Sequence, residues 1–170
     1  MRYLILAIMF ISALSFAGET IVFEAKNMSD WIGAVRKVTC SDGLFDTNKD
    51  QFVLISRQKI PVKPGKTYRI YGDFKLKVYC SLGNIRYGLI PLDAAGKALR
   101  RQYIGESPFN DRVASNNHNQ VRNFWLTFTG TIPSEKFKFP EGTVAFNVIL
   151  HQFEDYIVDM NFKNIKVTEE

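Results

Sequence analysis

Cysteine, histidine and tryptophan are scarce in this 170-residue chain, at two of each, and their scarcity excludes several chemistries. Cys40, Cys80, His118 and His151 form neither a CxxC nor an HxxxH pair, so a zinc or transition-metal centre has no spacing to build on. A GxSxG nucleophile elbow is missing, as is a glycine-rich phosphate loop. The apolar run Leu4 to Leu14 falls short of the ~20 residues of a membrane span, and no second run of that length follows. No dense basic stripe of the kind nucleic acid requires is present. Lys59, Lys63, Lys66 and Arg69 fall around one turn, and Lys136 and Lys138 around another, as solvated faces of a mildly basic chain.

The first residues carry the parts of a secretory signal peptide: a cation at Arg2, the apolar run, then small residues at Ser15 and Ala17 before Gly18. The expectation is a signal peptide over 1–17, with a retained N-terminal anchor as the alternative, and a product that is secreted, periplasmic or extracellular and free of the membrane after cleavage. The segment holds no Cys, so lipid attachment through an N-terminal cysteine is excluded. Arg2 is its only charged side chain, and its loss lowers the formal charge from +5 to +4. Residues 18–170 then suit one domain with a real core. Outside the cytoplasm Cys40 and Cys80 can form a disulfide, the alternative being two separate packed thiols.

Few stretches carry a helical period, whereas short alternating runs separated by Gly, Pro, Asn and Asp recur along the chain. Strands are expected over Glu19 to Ala25, Ala34 to Cys40, Gln51 to Ile60, Thr67 to Tyr79, Ile85 to Leu92, Phe124 to Ile132, Thr143 to Leu150 and Ile157 to Val167. In the fourth run Tyr68, Ile70, Gly72, Phe74 and Leu76 alternate with Thr67, Arg69, Tyr71, Asp73 and Lys75, one apolar face against one polar face. Pro64-Gly65 before it is a turn signal, and Asp93-Ala-Ala-Gly96 ends the next strand in a comparable way. The pattern predicts an all-β, two-sheet antiparallel sandwich or jelly roll. Gly105 to Asn123, rich in Asn, Ser, Asp and Pro, breaks the rhythm as a functional or disordered loop.

Three stretches in order resemble one family. Ile60-Pro-Val-Lys-Pro-Gly-Lys-Thr-Tyr-Arg-Ile-Tyr-Gly-Asp-Phe-Lys75 is similar to a segment of the jelly-roll carbohydrate-binding modules appended to glycoside hydrolases. Tyr87-Gly-Leu-Ile-Pro-Leu-Asp-Ala-Ala-Gly-Lys97 is similar to a hairpin of theirs. Trp125-Leu-Thr-Phe-Thr-Gly-Thr-Ile132, the strand Thr143 to Leu150 and the closing Phe162-Lys-Asn-Ile-Lys-Val167 complete the order. The resemblance implies a galactose-binding-like jelly roll that holds ligands on a concave sheet face or among end loops. It also implies a structural calcium ion, but the position matching the family's ligating Asp is Lys163. Calcium is then lost or held by other oxygens, Glu24 being a weak candidate, and no other cofactor is expected.

Sugar binding uses flat aromatic faces together with planar polar groups. Aromatics make up 14% of the chain, but Phe, at 14 residues, outnumbers Tyr at 7 and points mostly to core. Candidate ligand contacts are Trp31, Tyr79, Arg86, Tyr103, His151, Gln152 and Glu154, with edge or core packing the competing role for Trp31. Tyr68 and Trp125 are expected in the core, Trp125 by analogy with the family. Arg86 falls on the strand face opposite Tyr87 and could fork to two hydroxyls or to a uronate. Asn147, Ile149 and His151 share one side of their strand. Asn27-Met-Ser29 is a possible glycosylation sequon.

The reading is an exported, non-catalytic carbohydrate-binding module with a carbohydrate partner and no nucleic acid. The alternatives are a structural or protein-interaction domain of a cell-surface assembly, and a small lyase or hydrolase. Hydrolysis needs two carboxylates facing a cleft, and no local pattern marks a pair. A lyase could draw on Tyr103, His118, Arg112 and Asn116 in the long loop.

Overall fold

Alternation decides which residues become strand. The computed structural model describes residues 18–33, 37–49, 52–79, 84–101, 125–153 and 158–170, with the backbone alone at 76–79, 84–86, 126, 152–153 and 158. Among them run β1 (Thr20–Glu24), β2 (Trp31–Ile32), β3 (Thr39–Ser41), β4 (Leu44–Asp46), β5 (Val53–Ser56), β6 (Ile60–Pro61), β7 (Tyr68–Tyr79), β8 (Asn84–Leu92), β9 (Leu126–Ile132), β10 (Ala145–Phe153) and β11 (Val158–Glu169). A short 3-10 turn, Met28–Asp30, is capped by Asn27, whose side chain accepts from the Ser29 amide.

The strands form two antiparallel sheets. The first has the order β3-β4-β11-β7-β9, with β1 also on β11; the second has the order β2-β5-β10-β6, with β8 on the far edge of β10. In β7, Tyr68, Ile70, Gly72 and Phe74 are buried while Arg69, Tyr71, Asp73 and Lys75 are half-buried on the other side, as the sequence pattern predicts. Gly72 has no room for a side chain: a Cβ there would lie 2.7 Å from Ile165 Cδ1.

The observed strands depart from the expected runs in three places. Gln51 to Ile60 splits into β5 and β6, because Ser56 and Asn147 take over the ladder's hydrogen bonds. Ser56 Oγ accepts from the Val148 amide at 2.9 Å, and Asn147 Nδ2 donates to the carbonyls of Ser56 and Gln58 at 2.8 and 3.1 Å. In the run Ala34 to Cys40, the described strand covers only Thr39–Ser41. β2 and β4, at two and three residues, are too short for alternation to reveal.

The two inner faces meet in an aromatic core. Phe162 stacks on Phe45 at 4.7 Å between centroids and 4° between planes, and lies 6.4 Å from Phe74 and 6.5 Å from Phe52. Tyr68 meets Phe146 edge-on at 5.2 Å, and its hydroxyl donates a hydrogen bond to the Pro61 carbonyl at 2.9 Å. Tyr87 packs on Phe128 at 5.1 Å and donates to the Tyr71 carbonyl at 2.8 Å, and burial pushes its phenol pKa far up. This hydrogen bond links the two sheets.

The expected Cys40–Cys80 bridge requires correction. Cys40 is a free thiol whose Sγ donates to the Lys26 carbonyl at 3.3 Å, and burial raises its pKa. Cys80 lies outside the described residues, but its neighbour Tyr79 ends β7. The register runs Cys40–Phe45–Phe162–Phe74, so Tyr79 lies three strands across and five residues along from Cys40. At ~4.8 Å per strand and ~3.3 Å per residue the two are roughly 20 Å apart. A bridge needs Cα atoms within about 7 Å.

Two measurements follow from this packing. Phe162→Ala should lower the unfolding free energy by about 3–5 kcal/mol in urea denaturation, since it empties the centre of the stack; a loss under about 1 kcal/mol would contradict the placement of Phe162. Denatured but unreduced protein should take up two iodoacetamide adducts per chain by intact mass. A bridged pair would take none.

Candidate functional site

The candidate site lies on the outer face of the first sheet and follows from how β11 is shared. One edge of β11 pairs with β7 along most of its length. The opposite edge is divided, Asn161 and Phe162 pairing with β4 and Lys166 to Glu169 pairing with β1. Between the two partners β11 bulges: Lys163 faces Asp73 and Lys166 faces Tyr71, so three steps on β11 match two on β7. Asn164, at φ +53°, takes the left-handed turn this requires, while Ile165 stays fully buried. Where β1 ends and β4 begins, the sheet leaves an open cavity of about 410 Å³ lined by Glu24, Lys26, Asp42, Leu44, Lys163 and Asn164.

Beside the cavity stands Trp125, 36% exposed. Phe74 pairs with Leu126 and Asp73 with Thr127, which sets Trp125 alongside Lys75 if the register is continued by one residue. The Lys163 ammonium lies 4.4 Å from the centre of the Trp125 ring, reaching across β7. Asp73, between them, accepts from Thr127 Oγ1 at 2.7 Å on one oxygen and from Asn164 Nδ2 at 2.6 Å on the other. One row further along, Lys166 lies 4.9 Å from the Tyr71 ring, and the Tyr71 hydroxyl donates to Glu19 at 2.6 Å, which with nearby cations lowers the Glu19 pKa. The face therefore offers a flat indole, fixed polar groups and cations, with Lys163 reaching from the lining of the cavity to the indole.

Trp125 corrects the expectation of a core residue. It has the parity of Thr127 and Thr129, both exposed, while Phe128 and Ile132 fill the core. The alternation in Trp125-Leu-Thr-Phe-Thr-Gly-Thr-Ile carried this signal; the family analogy overrode it.

Trp31 is corrected in the opposite sense. It is only 4% exposed, meeting Phe23 at 6.0 Å and Phe45 at 6.3 Å, both edge-on, so it has no face to offer a ligand. Tyr68 is buried as expected. Arg86 and His151 occupy one register position across β8 and β10, and Gln152 pairs with Ile85 beside them. His151 is half-buried. Tyr79 belongs to the first sheet, paired with Val158. The ends of β7, β8 and β10 bring Tyr79, Arg86, His151 and Gln152 toward one end of the sandwich, but not onto one sheet face. Tyr103 and Glu154 lie outside the described residues, as do Arg112, Asn116 and His118 and the segment 1–17. Asn147, on the same side of β10 as Ile149, is 8% exposed and structural.

Glu24, the candidate calcium ligand, is ion-paired with Lys26 at 2.8 Å. Among the described residues no three of His, Cys, Asp or Glu come together as a metal site.

Neither a family model nor a curated protein matches the chain. Solved structures do. One contains the N-terminal carbohydrate-binding-module 22 and glycoside-hydrolase 10 modules of Clostridium thermocellum endo-1,4-β-D-xylanase 10B, complexed with xylohexaose. It aligns over 89% of this chain with a TM-score of 0.58 at 13% identity, and this chain spans 29% of its length. Another is the first module-22 xylan-binding domain of Paenibacillus barcinonensis xylanase 10C, with a TM-score of 0.49, 11% identity, and 88% of this chain and 94% of that one covered. At such identity the likeness is one of fold: a two-sheet antiparallel β-sandwich, shared with a structure that contains a carbohydrate-binding module.

The contrasting placement of the two tryptophans is testable by fluorescence. Acrylamide should quench part of the emission readily and part poorly, and Trp125→Phe should leave only the blue-shifted, poorly quenched part from Trp31. Residual emission as accessible as in the parent protein would overturn the assignment.

Proposed function

We propose that this chain is a non-catalytic, exported glycan-binding module that docks sugar on the outer face of the first sheet at Trp125. The observation that carries the reading is the exposed indole of Trp125 on the outer sheet face, joined through Lys163 to the lining of the cavity between β1 and β4. A large aromatic left in water costs hydrophobic free energy that a ligand's C–H face would recover. Thr127 and Asn164, which meet at Asp73 on the same face, can hydrogen-bond hydroxyls. The likeness in fold to a structure containing a carbohydrate-binding module agrees with this reading, although fold alone does not give function.

Binding is favoured over hydrolysis by the character of the carboxylates. Glu24 and Asp42, which line the cavity, are both exposed to solvent, and Glu24 is ion-paired with Lys26. Neither has the apolar burial that tunes a general acid to neutral pH. The signal-peptide pattern of residues 1–17 supports export.

Affinity electrophoresis of the purified chain through gels containing neutral or acidic polysaccharides should show retardation by at least one of them, without release of reducing ends. Trp125→Ala should weaken that retention at least about tenfold, while Tyr79→Ala should not. Retention that survives Trp125→Ala would move the site elsewhere, and an absence of retention on every polysaccharide would favour the protein-interaction reading.

A further inference from the structure

We infer that the ligand of this face is an acidic polysaccharide, whose carboxylate or sulfate groups are held by Lys75 and Lys163 while a sugar ring lies on Trp125. The inference rests on the glycan-binding reading and adds to it the chemical class of the glycan.

The argument begins with the register. Lys163 pairs with Asp73, and Lys75 stands two residues along β7, so the lysines are diagonal neighbours with Cα atoms roughly 7–8 Å apart. Like charges at that spacing repel. Among the described residues neither lysine has a carboxylate partner; Lys163 has turned to the indole, and the Lys75 side chain makes no hydrogen bond or ion pair there. Asp73 lies nearest, but both its oxygens are already engaged by Thr127 and Asn164. The other carboxylates of the face are also spoken for or set apart. Glu24 is bound by Lys26, Glu19 by Tyr71 and Arg69, and Asp42 is on the far rim of the cavity. Among the described residues Asp73 and Asp46 are the carboxylates in the rows of the two lysines, and hydrogen bonds from Thr127, Asn164, Asn48 and Asn161 engage their oxygens, so neither is ion-paired with Lys75 or Lys163.

A pair of neighbouring cations with no direct carboxylate contact among the described residues, beside an exposed aromatic, is poorly explained by stability, since it adds repulsion and leaves apolar surface wet. It is well explained by a ligand with an apolar ring face and an anion on its edge. Such a ligand would replace the Lys163–indole contact, worth only about 0.5–1 kcal/mol when exposed, with charge-assisted hydrogen bonds to the ammonium groups. The far rim, with Asn164 and Asp42, then suits the hydroxyls of a neighbouring uncharged sugar, because a second anion there would meet Glu24 and Asp42.

The test is affinity electrophoresis of the full chain on polygalacturonate, dextran sulfate and neutral xylan at low and high salt. Retention on an anionic polymer should exceed that on xylan and fall with added salt. Preference between polygalacturonate and dextran sulfate tells carboxylate from sulfate. Lys75→Gln, which leaves the Trp125 contact intact, should weaken that retention about tenfold. Lys75→Gln with Lys163→Gln should abolish it, and Lys136→Gln on a remote turn should change nothing. If the chain binds neutral xylan through Trp125 and the lysine variants bind as well as the parent, the acidic assignment is overturned while the glycan-binding reading stands. If retention on anions is insensitive to Trp125→Ala and matched by single-stranded DNA, the face is an unspecific cation patch and the inference fails. If no polysaccharide is retained, both readings fail together.

Discussion

Phe162 is the residue on which the arrangement depends. Its ring stacks on Phe45 and touches the packing of Phe74 and Phe52, so one side chain ties β4, β7, β11 and the residue leading into β5 into one core. Because side chains alternate along a strand, burying Phe162 turns Lys163 outward. The same step on β7 buries Phe74 and turns out Asp73 and Lys75, and on β9 it buries Phe128 and turns out Thr127. The face proposed to bind sugar is thus the complement of the aromatic core, and no residue of it could be moved inward without taking its neighbours out.

The cavity on that face is a product of strand length. β11 is twelve residues long, whereas β1 has five and β4 three. Neither short strand can cover the long edge, and the uncovered stretch falls where β11 bulges. The second sheet meets the same problem on β10, whose edge is divided between β5 and β6. There the gap is closed by Asn147 and Ser56, which satisfy the loose backbone groups with side-chain hydrogen bonds. The contrast is informative: one gap is filled by polar side chains that leave no room, and the other is left open beside an exposed aromatic.

Much of the fold was legible in the sequence because antiparallel strands with one wet face print their period directly. β7, β9 and β11 were readable in this way, as was the sandwich they imply. β2 and β4 were not, since two or three residues cannot show a period. That Cys40 is a free thiol was not legible either: its separation from Tyr79 is set by which strands lie between them, which local pattern does not encode. The two tryptophans show both limits. Trp31 follows a polar, turn-forming stretch and gives no local sign that Phe23 and Phe45, from other strands, will enclose it. Trp125 did carry a sign, its parity with threonines, and the analogy with a family outweighed a simpler physical reading.

The bulge at Asn164 gives β11 two reading frames. Before it, outward positions are odd-numbered, as at Asn161 and Lys163; after it they are even-numbered, as at Lys166, with Ile165 and Val167 inside. Lys163 and Lys166, three residues apart, can share a face only because one extra residue is stored between them. Asn164 therefore differs from an ordinary exposed loop residue, despite its exposure and its position at a turn. Its deletion would not shorten a loop; it would shift one half of the strand by a single step relative to the other, carrying a lysine toward the core or an isoleucine out of it. Length at this point is as strictly set as composition is in the aromatic core, and homologous chains keeping both lysine positions would be expected to keep the extra residue with them.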